Sequence, residues 1–273
     1  MMEILHYLHY EFVRNAIFAS ILAGIACGIV GSLVVVKRIV FISGGISHAA
    51  FGGIGIGLFF GLNPVITAIP FSILSAIGIG ALSKKAKVSE DASIGIIWAV
   101  GMAIGIIFAG FTPGYAPDLI SYLFGNILMV SKNDIIMMIA LDSLIILLII
   151  LFYREFLAVC FDEEFAATVG IPVNLFYFML LCGVALSVVV LVKVVGIILV
   201  IALLTIPSSI VKQFTSNMKK LIIASIFVCI AMTMAGLCLS FVLNLPSGAT
   251  IVLFSALILA FSACIRRAFS FAP

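Results

Sequence analysis

The run IIMMIALDSLIILLIILF, residues 135–152, carries a single charged side chain, Asp142. A bilayer crossing takes ~20 apolar residues in a helix, and this run is close to that length. A transmembrane strand would alternate apolar and polar positions, and these residues do not alternate. Runs of the same kind recur along all 273 residues, of which 65% are hydrophobic and 9% charged. Soluble domains average ~45–50% apolar and ~25% charged, so this chain lacks the polar surface to live in water. A soluble enzyme and a nucleic-acid binder are excluded, as is a disordered chain, which needs low hydrophobicity and high net charge. The net charge of +3 comes from 14 basic and 11 acidic residues, too few for a phosphate-binding stripe. The fold class is an all-α polytopic membrane protein.

Reading apolar runs between their punctuation gives about nine spans (eight to nine), roughly 16–36, 41–61, 64–82, 92–111, 134–152, 173–191, 195–211, 221–243 and 248–265. The pairs meeting near 62 and near 193 are close enough to be re-entrant. With an outside N-terminus and an inside C-terminus, Lys37, Arg38, Lys84, Lys85, Lys87, Arg154, Lys212, Lys219, Lys220, Arg266 and Arg267 face the cytoplasm. Only Arg14, Lys132 and Lys193 face outward, and that asymmetry predicts N-out, C-in. The first apolar run continues without a cleavage-like end, so no removable signal peptide is expected. The six cysteines show no C-x-x-C pair and read as small hydrophobes rather than as a disulfide or zinc framework.

Four local features carry information. In FDEEFAATVGIP, Asp162 suits an N-cap, Glu163 and Glu164 fall in a first helical turn, and Gly170 and Pro172 stop the helix. A two-turn helix with Phe161 and Phe165 on its apolar side fits either a solvated loop or a docking element for a partner. In FISGGISHAAFGGIGIGLFFG, Gly45, Ala49, Gly53, Gly57 and Gly61 form a small-residue stripe that admits a neighbouring helix. His48 lies beside it, flanked one turn away by Gly44 and Gly52. It reads as a transition-metal ligand or as a histidine bonded to a neighbouring backbone.

Asp142 must pair, protonate or face water. Packing and an ion pathway are equal readings there. Pro207 kinks its span, with Ser208 and Ser209 able to satisfy the freed carbonyls. At the N-terminus, Glu3, His6 and His9 have chelating spacing, but the apolar residues between them favour an interfacial helix. No phosphate-binding loop occurs, so any nucleotide energy must come from another chain.

The segments FVRNAIFASILAGIACGIVGSLVVVKRIVFISGGISHAAFGGIGIG, EDASIGIIWAVGMAIGIIFAG, DLISYLFGNILMVSKNDI, FDEEFAATVGIPV, VVGIILVIALLTIPSS and LPSGATIVL follow one another along nearly the whole chain. In this order and spacing the chain resembles the membrane-spanning permease subunit of metal-type ATP-binding-cassette importers, the zinc and manganese class. The resemblance implies a type II importer-like bundle forming one transmembrane permease domain over 1–273, with a coupling helix near 162–169. It implies a homodimer in a prokaryotic inner membrane, two cytoplasmic ATPase subunits and an extracytoplasmic metal-binding protein. The cargo is then a divalent transition metal, with no permanently bound cofactor and no catalysis by this chain.

On the same grounds Phe161, Asp162, Glu163, Glu164, Phe165 and Gly170 form the ATPase coupling element, and His48 is the metal ligand. Gly44, Ser47, Gly52, Asp142 and Pro207 serve the pathway or helix packing. Many family members carry an aspartate four residues before the histidine, where this chain has Gly44. Losing that carboxylate tilts the expected cargo from manganese towards zinc, which prefers nitrogen more. The alternatives are a stand-alone proton-coupled carrier using Asp142 and His48, and a permease for siderophores or cobalamin. An intramembrane enzyme ranks last, since no H-E-x-x-H or G-x-S-x-G occurs.

Overall fold

The computed structural model describes residues 10–112, 119–197 and 200–270. Four long helices come first: α1 (Glu11–Lys37), α2 (Val40–Phe59), α3 (Pro64–Lys84) and α4 (Glu90–Phe111). A short α5 (Leu119–Phe124) and a 3-10 turn (Ile127–Met129) lead into α6 (Lys132–Leu151). Two short helices follow, α7 (Tyr153–Phe161) and α8 (Glu163–Thr168), then α9 (Val173–Val195) and α10 (Val200–Lys212). The chain closes with α11 (Met218–Leu243) and α12 (Ser247–Ser270). Among the described residues 8 helices are long and apolar enough to cross a membrane. The chain is a multi-span α-helical membrane protein.

Helix starts follow from side chains that take up the free N–H groups of a first turn. The Asn63 side chain accepts from the Val65 N–H at 3.0 Å, with Pro64 in the first turn where its missing N–H costs nothing. Ser131 and Asp134 form a reciprocal capping box at α6. Helix ends use left-handed residues, Arg38 after α1 and Asn244 after α11. Gly61, expected inside the second span, instead sits beyond Phe59 in a turn at φ +66°.

The seventh predicted span shortens to α10, whose 13 residues cover about 20 Å of a hydrocarbon core ~30 Å thick. The break lies at Gly196 rather than at Lys193, because Gly196 takes φ +79° and ends α9. It packs against Gly125, itself at φ +67°, so closely that a Cβ on either would overlap the other's backbone. The Ile197 N–H donates to the Tyr122 carbonyl at 3.0 Å. The turn after α5 is thus tied to the turn that ends α9. Irregular backbone within a membrane survives only when buried in protein, and Ile127, Val130 and Ile197 are buried.

The core is centred on α1, which packs against α6, α9, α10 and α11. Its small residues make those approaches: a Cβ on Gly28 would lie 2.5 Å from the Ile226 backbone nitrogen. Ion pairs mark both ends of the bundle. Glu163 pairs with Lys37 and Lys84 at one end, where Lys212 donates to the Val35 carbonyl, while Glu11 pairs with Lys132 at 3.1 Å at the other.

Candidate functional site

Helix α2 is held between α3 and α4 by glycines on both sides. A Cβ on Gly53 would meet the Thr67 carbonyl, Phe71 and Ala68 of α3, and one on Gly52 would meet Phe71 and the Gly101 carbonyl of α4. On the α4 side Gly101 lies on Ala49, and a Cβ there would come 2.6 Å from the Ala49 Cα. Gly105 sits equally tightly against Phe51 and Gly55. This is the small-xxx-small packing expected of the stripe.

The close approach brings His48 of α2 against Trp98 of α4. Their rings stack with centroids 4.1 Å apart and planes 8° from parallel. His48 is half-buried, and its Nδ1 is buried with no hydrogen-bond partner. No backbone group takes up that nitrogen. Ser47 donates its hydroxyl to the Ser43 carbonyl at 2.6 Å, so it is committed to its own helix rather than to the imidazole. Gly44 faces Ile201 of α10, whose Cδ1 would lie 3.0 Å from a Cβ there. Among the described residues no three His, Cys, Asp or Glu side chains converge as a metal cluster.

Asp142 lies elsewhere. It is 3% exposed on α6, and neither carboxylate oxygen has a hydrogen-bond partner. Helix α6 packs on α1, α7 and α9, a different part of the bundle from the α2–α4 seam. Pro207 is buried inside α10. The neighbouring Ser208 hydroxyl lies 3.4 Å from that of Ser32 on α1. Glu3, His6 and His9 lie outside the described residues.

The acidic element forms at the Lys37 end. Asp162 caps α8, accepting from the Phe165 N–H at 2.9 Å. Gly170 follows at φ +83°, and the Ile171 N–H returns to the Ala166 carbonyl at 3.0 Å. Phe161 and Phe165 are 62% and 58% exposed, and Glu164 is exposed beside them. Glu163 differs: it turns inward and pairs with Lys37 at 2.7 Å and Lys84 at 2.8 Å. Partial burial works against its ionisation. The bonds and charges of Lys37 and Lys84 outweigh that and hold its carboxyl below the usual range.

Lys37 also donates to the Val159 carbonyl of α7 at 2.7 Å. That helix lies between the fifth and sixth predicted spans, and Phe156, Val159 and Cys160 form its buried face. Burial pushes the Cys160 thiol up to about 12, so it packs as an apolar group. A cavity of about 740 Å³ opens beside this element, lined among others by Lys37, Arg38, Phe161, Lys212 and Phe214.

Residues 9–266 match the ABC 3 transport family. The chain belongs to this family. An uncharacterized membrane protein of Synechocystis sp. is 44% identical over 260 residues, covering 95% of this chain and 92% of that one. The manganese transport system membrane protein MntC of Listeria monocytogenes is 35% identical over 252 residues, 92% of this chain and 89% of the relative. Among solved structures, PsaBC from Streptococcus pneumoniae in complex with Fab aligns at TM-score 0.86 and 31% identity, covering 96% of this chain and 95% of that one. As an ABC 3 chain this protein is a multi-span membrane permease of the ATP-binding-cassette type. Trp98 is the residue the sequence reading passed over. Its available signal was position: it is the chain's one tryptophan, yet it stands within a span rather than in an interfacial belt.

Proposed function

We propose that this chain is the permease subunit of an ATP-binding-cassette importer that carries a divalent transition metal into the cytoplasm by alternating access. One observation carries the reading: the likeness to transport-system membrane proteins runs nearly end to end, over residues 9–266 of 273. The working unit is a homodimer, with two ATPases on the Lys37 end and a metal-binding protein delivering cargo to the other. That places the Lys37 end in the cytoplasm, in keeping with the excess of lysine and arginine there. Exposed Phe161, Glu164 and Phe165, together with the basic cavity beside them, offer the ATPase an apolar and charged docking surface.

His48 is the ligand the cargo meets inside the membrane, and a second copy of the chain would supply the further ligands that one protomer's described residues lack. Manganese stands ahead of zinc as cargo, because several relatives are named manganese transport system membrane proteins. Gly44 in place of a carboxylate pulls towards zinc.

The test is uptake into vesicles holding the complete complex, with manganese, zinc and iron in competition. ATP-dependent accumulation of a divalent metal supports the reading. Metal flux by this chain alone, driven by a pH gradient, would overturn it.

A further inference from the structure

We propose that Trp98 is a positioning residue for His48, holding the plane of a metal-bound imidazole from the face of its ring. The proposal rests on the reading of His48 as a cargo ligand. A metal binds an imidazole nitrogen along its lone pair, within the plane of the ring. Whatever fixes that plane fixes where the metal can sit. Here the plane is set by the indole, 4.1 Å away and 8° from parallel.

The stack is itself fixed by backbone. Ala49 and Gly101 touch with no room for a methyl group between them, which leaves their neighbours His48 and Trp98 facing each other across the seam. Parallel rings also leave the in-plane lone pair clear of the indole, so Trp98 supports the ligand without covering it.

The electrostatics point the same way. An imidazole that coordinates a cation gains positive character, and the electron-rich face of an indole attracts positive charge. The usual partner for a ligating histidine is a carboxylate or carbonyl on its other ring nitrogen. The buried Nδ1 of His48 has none. A π face is a weaker support than a carboxylate, which suits a site that must release its cargo each cycle.

Trp98 is the chain's one tryptophan and is 40% exposed, so its emission reports on this site alone. Cobalt(II), an open-shell ion that quenches nearby indole emission, is added to the full chain in detergent micelles. Quenching is expected in the wild type and its loss in His48→Ala. In vesicles holding the complex, Trp98→Leu is expected to raise the KM for manganese about tenfold while uptake at saturating metal stays near wild type. Trp98→Phe, which keeps an aromatic face, is expected to restore most of the affinity.

Equal KM values for the wild type and the leucine variant would overturn the proposal. So would equal losses in the leucine and phenylalanine variants. Emission indifferent to cobalt, with uptake abolished in His48→Ala, would overturn the role of Trp98 and leave the ligand reading intact. Wild-type uptake by His48→Ala would remove the ligand reading and the proposal with it.

Discussion

The α2–α4 seam and the α8 clasp both bring polar chemistry to this bundle, and they are built in opposite ways. In the clasp every acidic group near the helix start is either satisfied or wholly exposed: Asp162 caps, Glu163 holds two lysines, and Glu164 faces outward. In the seam the backbones are locked together by glycine, but the Nδ1 of His48 is left without a partner. A saturated cluster transmits force, because moving one member drags the others. No protein group claims that nitrogen, so the imidazole is held by stacking and packing alone. Under the proposed function the contrast gives mechanics to one region and cargo to the other.

The largest expected effect comes from removing the seam's imidazole. His48→Ala should reduce ATP-driven metal uptake to background while the complex with its ATPase still forms. Uptake measured beside co-purification separates the two regions: a variant that loses both would erase the distinction between cargo site and coupling site.

Next in size is the clasp. Glu163→Gln removes the charge that ties α8 to the ends of α1 and α3. Hydrolysis by the assembled complex should continue while uptake falls several-fold, and Glu164→Gln should leave the fold unchanged and weaken ATPase docking instead. Co-purification of the ATPase at normal yield with a triple Asp162, Glu163 and Glu164 variant would count against docking through this helix. A pH signature follows as well. The folded-state pKa of Glu163 is depressed, so its contribution to stability is complete above its unfolded value and is lost as pH falls through the folded one. The gap in melting temperature between wild type and Glu163→Gln should therefore close on acidification. A gap that stayed constant would mean the ion pairs contribute nothing.

The sequence made the clasp more legible than the seam, for a physical reason. Helix α8 is specified locally: cap, acidic first turn, glycine stop and proline all fall within a dozen residues. The long helices were legible because span length is set by the bilayer. The inward turn of Glu163 was not, since its lysines come from the ends of two other helices. The truncation of α10 was hidden for the same reason, as Gly196 needs Gly125 beside it to show what its positive φ is for. Trp98 on His48 is likewise a pairing across helices, invisible to periodicity. Helix α7 was legible in principle, through its buried Phe156, Val159 and Cys160, but the charges of Arg154 and Glu155 disguised it as loop.

A gentler perturbation of the seam tests whether its rigidity matters. Gly101→Ala places a methyl against the Ala49 backbone, and overpacking of this kind costs ~1–3 kcal/mol. The melting temperature should drop, and uptake should fall further than the stability loss alone explains, because the His48–Trp98 stack is pried open. Gly95→Ala on the same helix has open space around it and is the control. If both variants lower uptake equally, the close approach has no special part in the site.

The smallest effect belongs to the helix cap of the clasp. The Asp162 carboxylate accepts one backbone N–H, from Phe165, and losing such a cap costs ~1 kcal/mol. Because α8 has only 6 residues, the loss should fray the whole helix rather than one end. Glu163 would still be held by Lys37 and Lys84, so the global melting transition of Asp162→Ala should barely move. Backbone amide exchange in α8 should rise about fivefold, with a modest loss of ATPase affinity. Asp162→Ser keeps a capping oxygen and removes the charge, so it should restore exchange protection to α8. If Asp162→Ser exchanges as fast as Asp162→Ala, the negative charge rather than the cap stabilises α8, and the clasp relies on the helix dipole more than on its hydrogen bond.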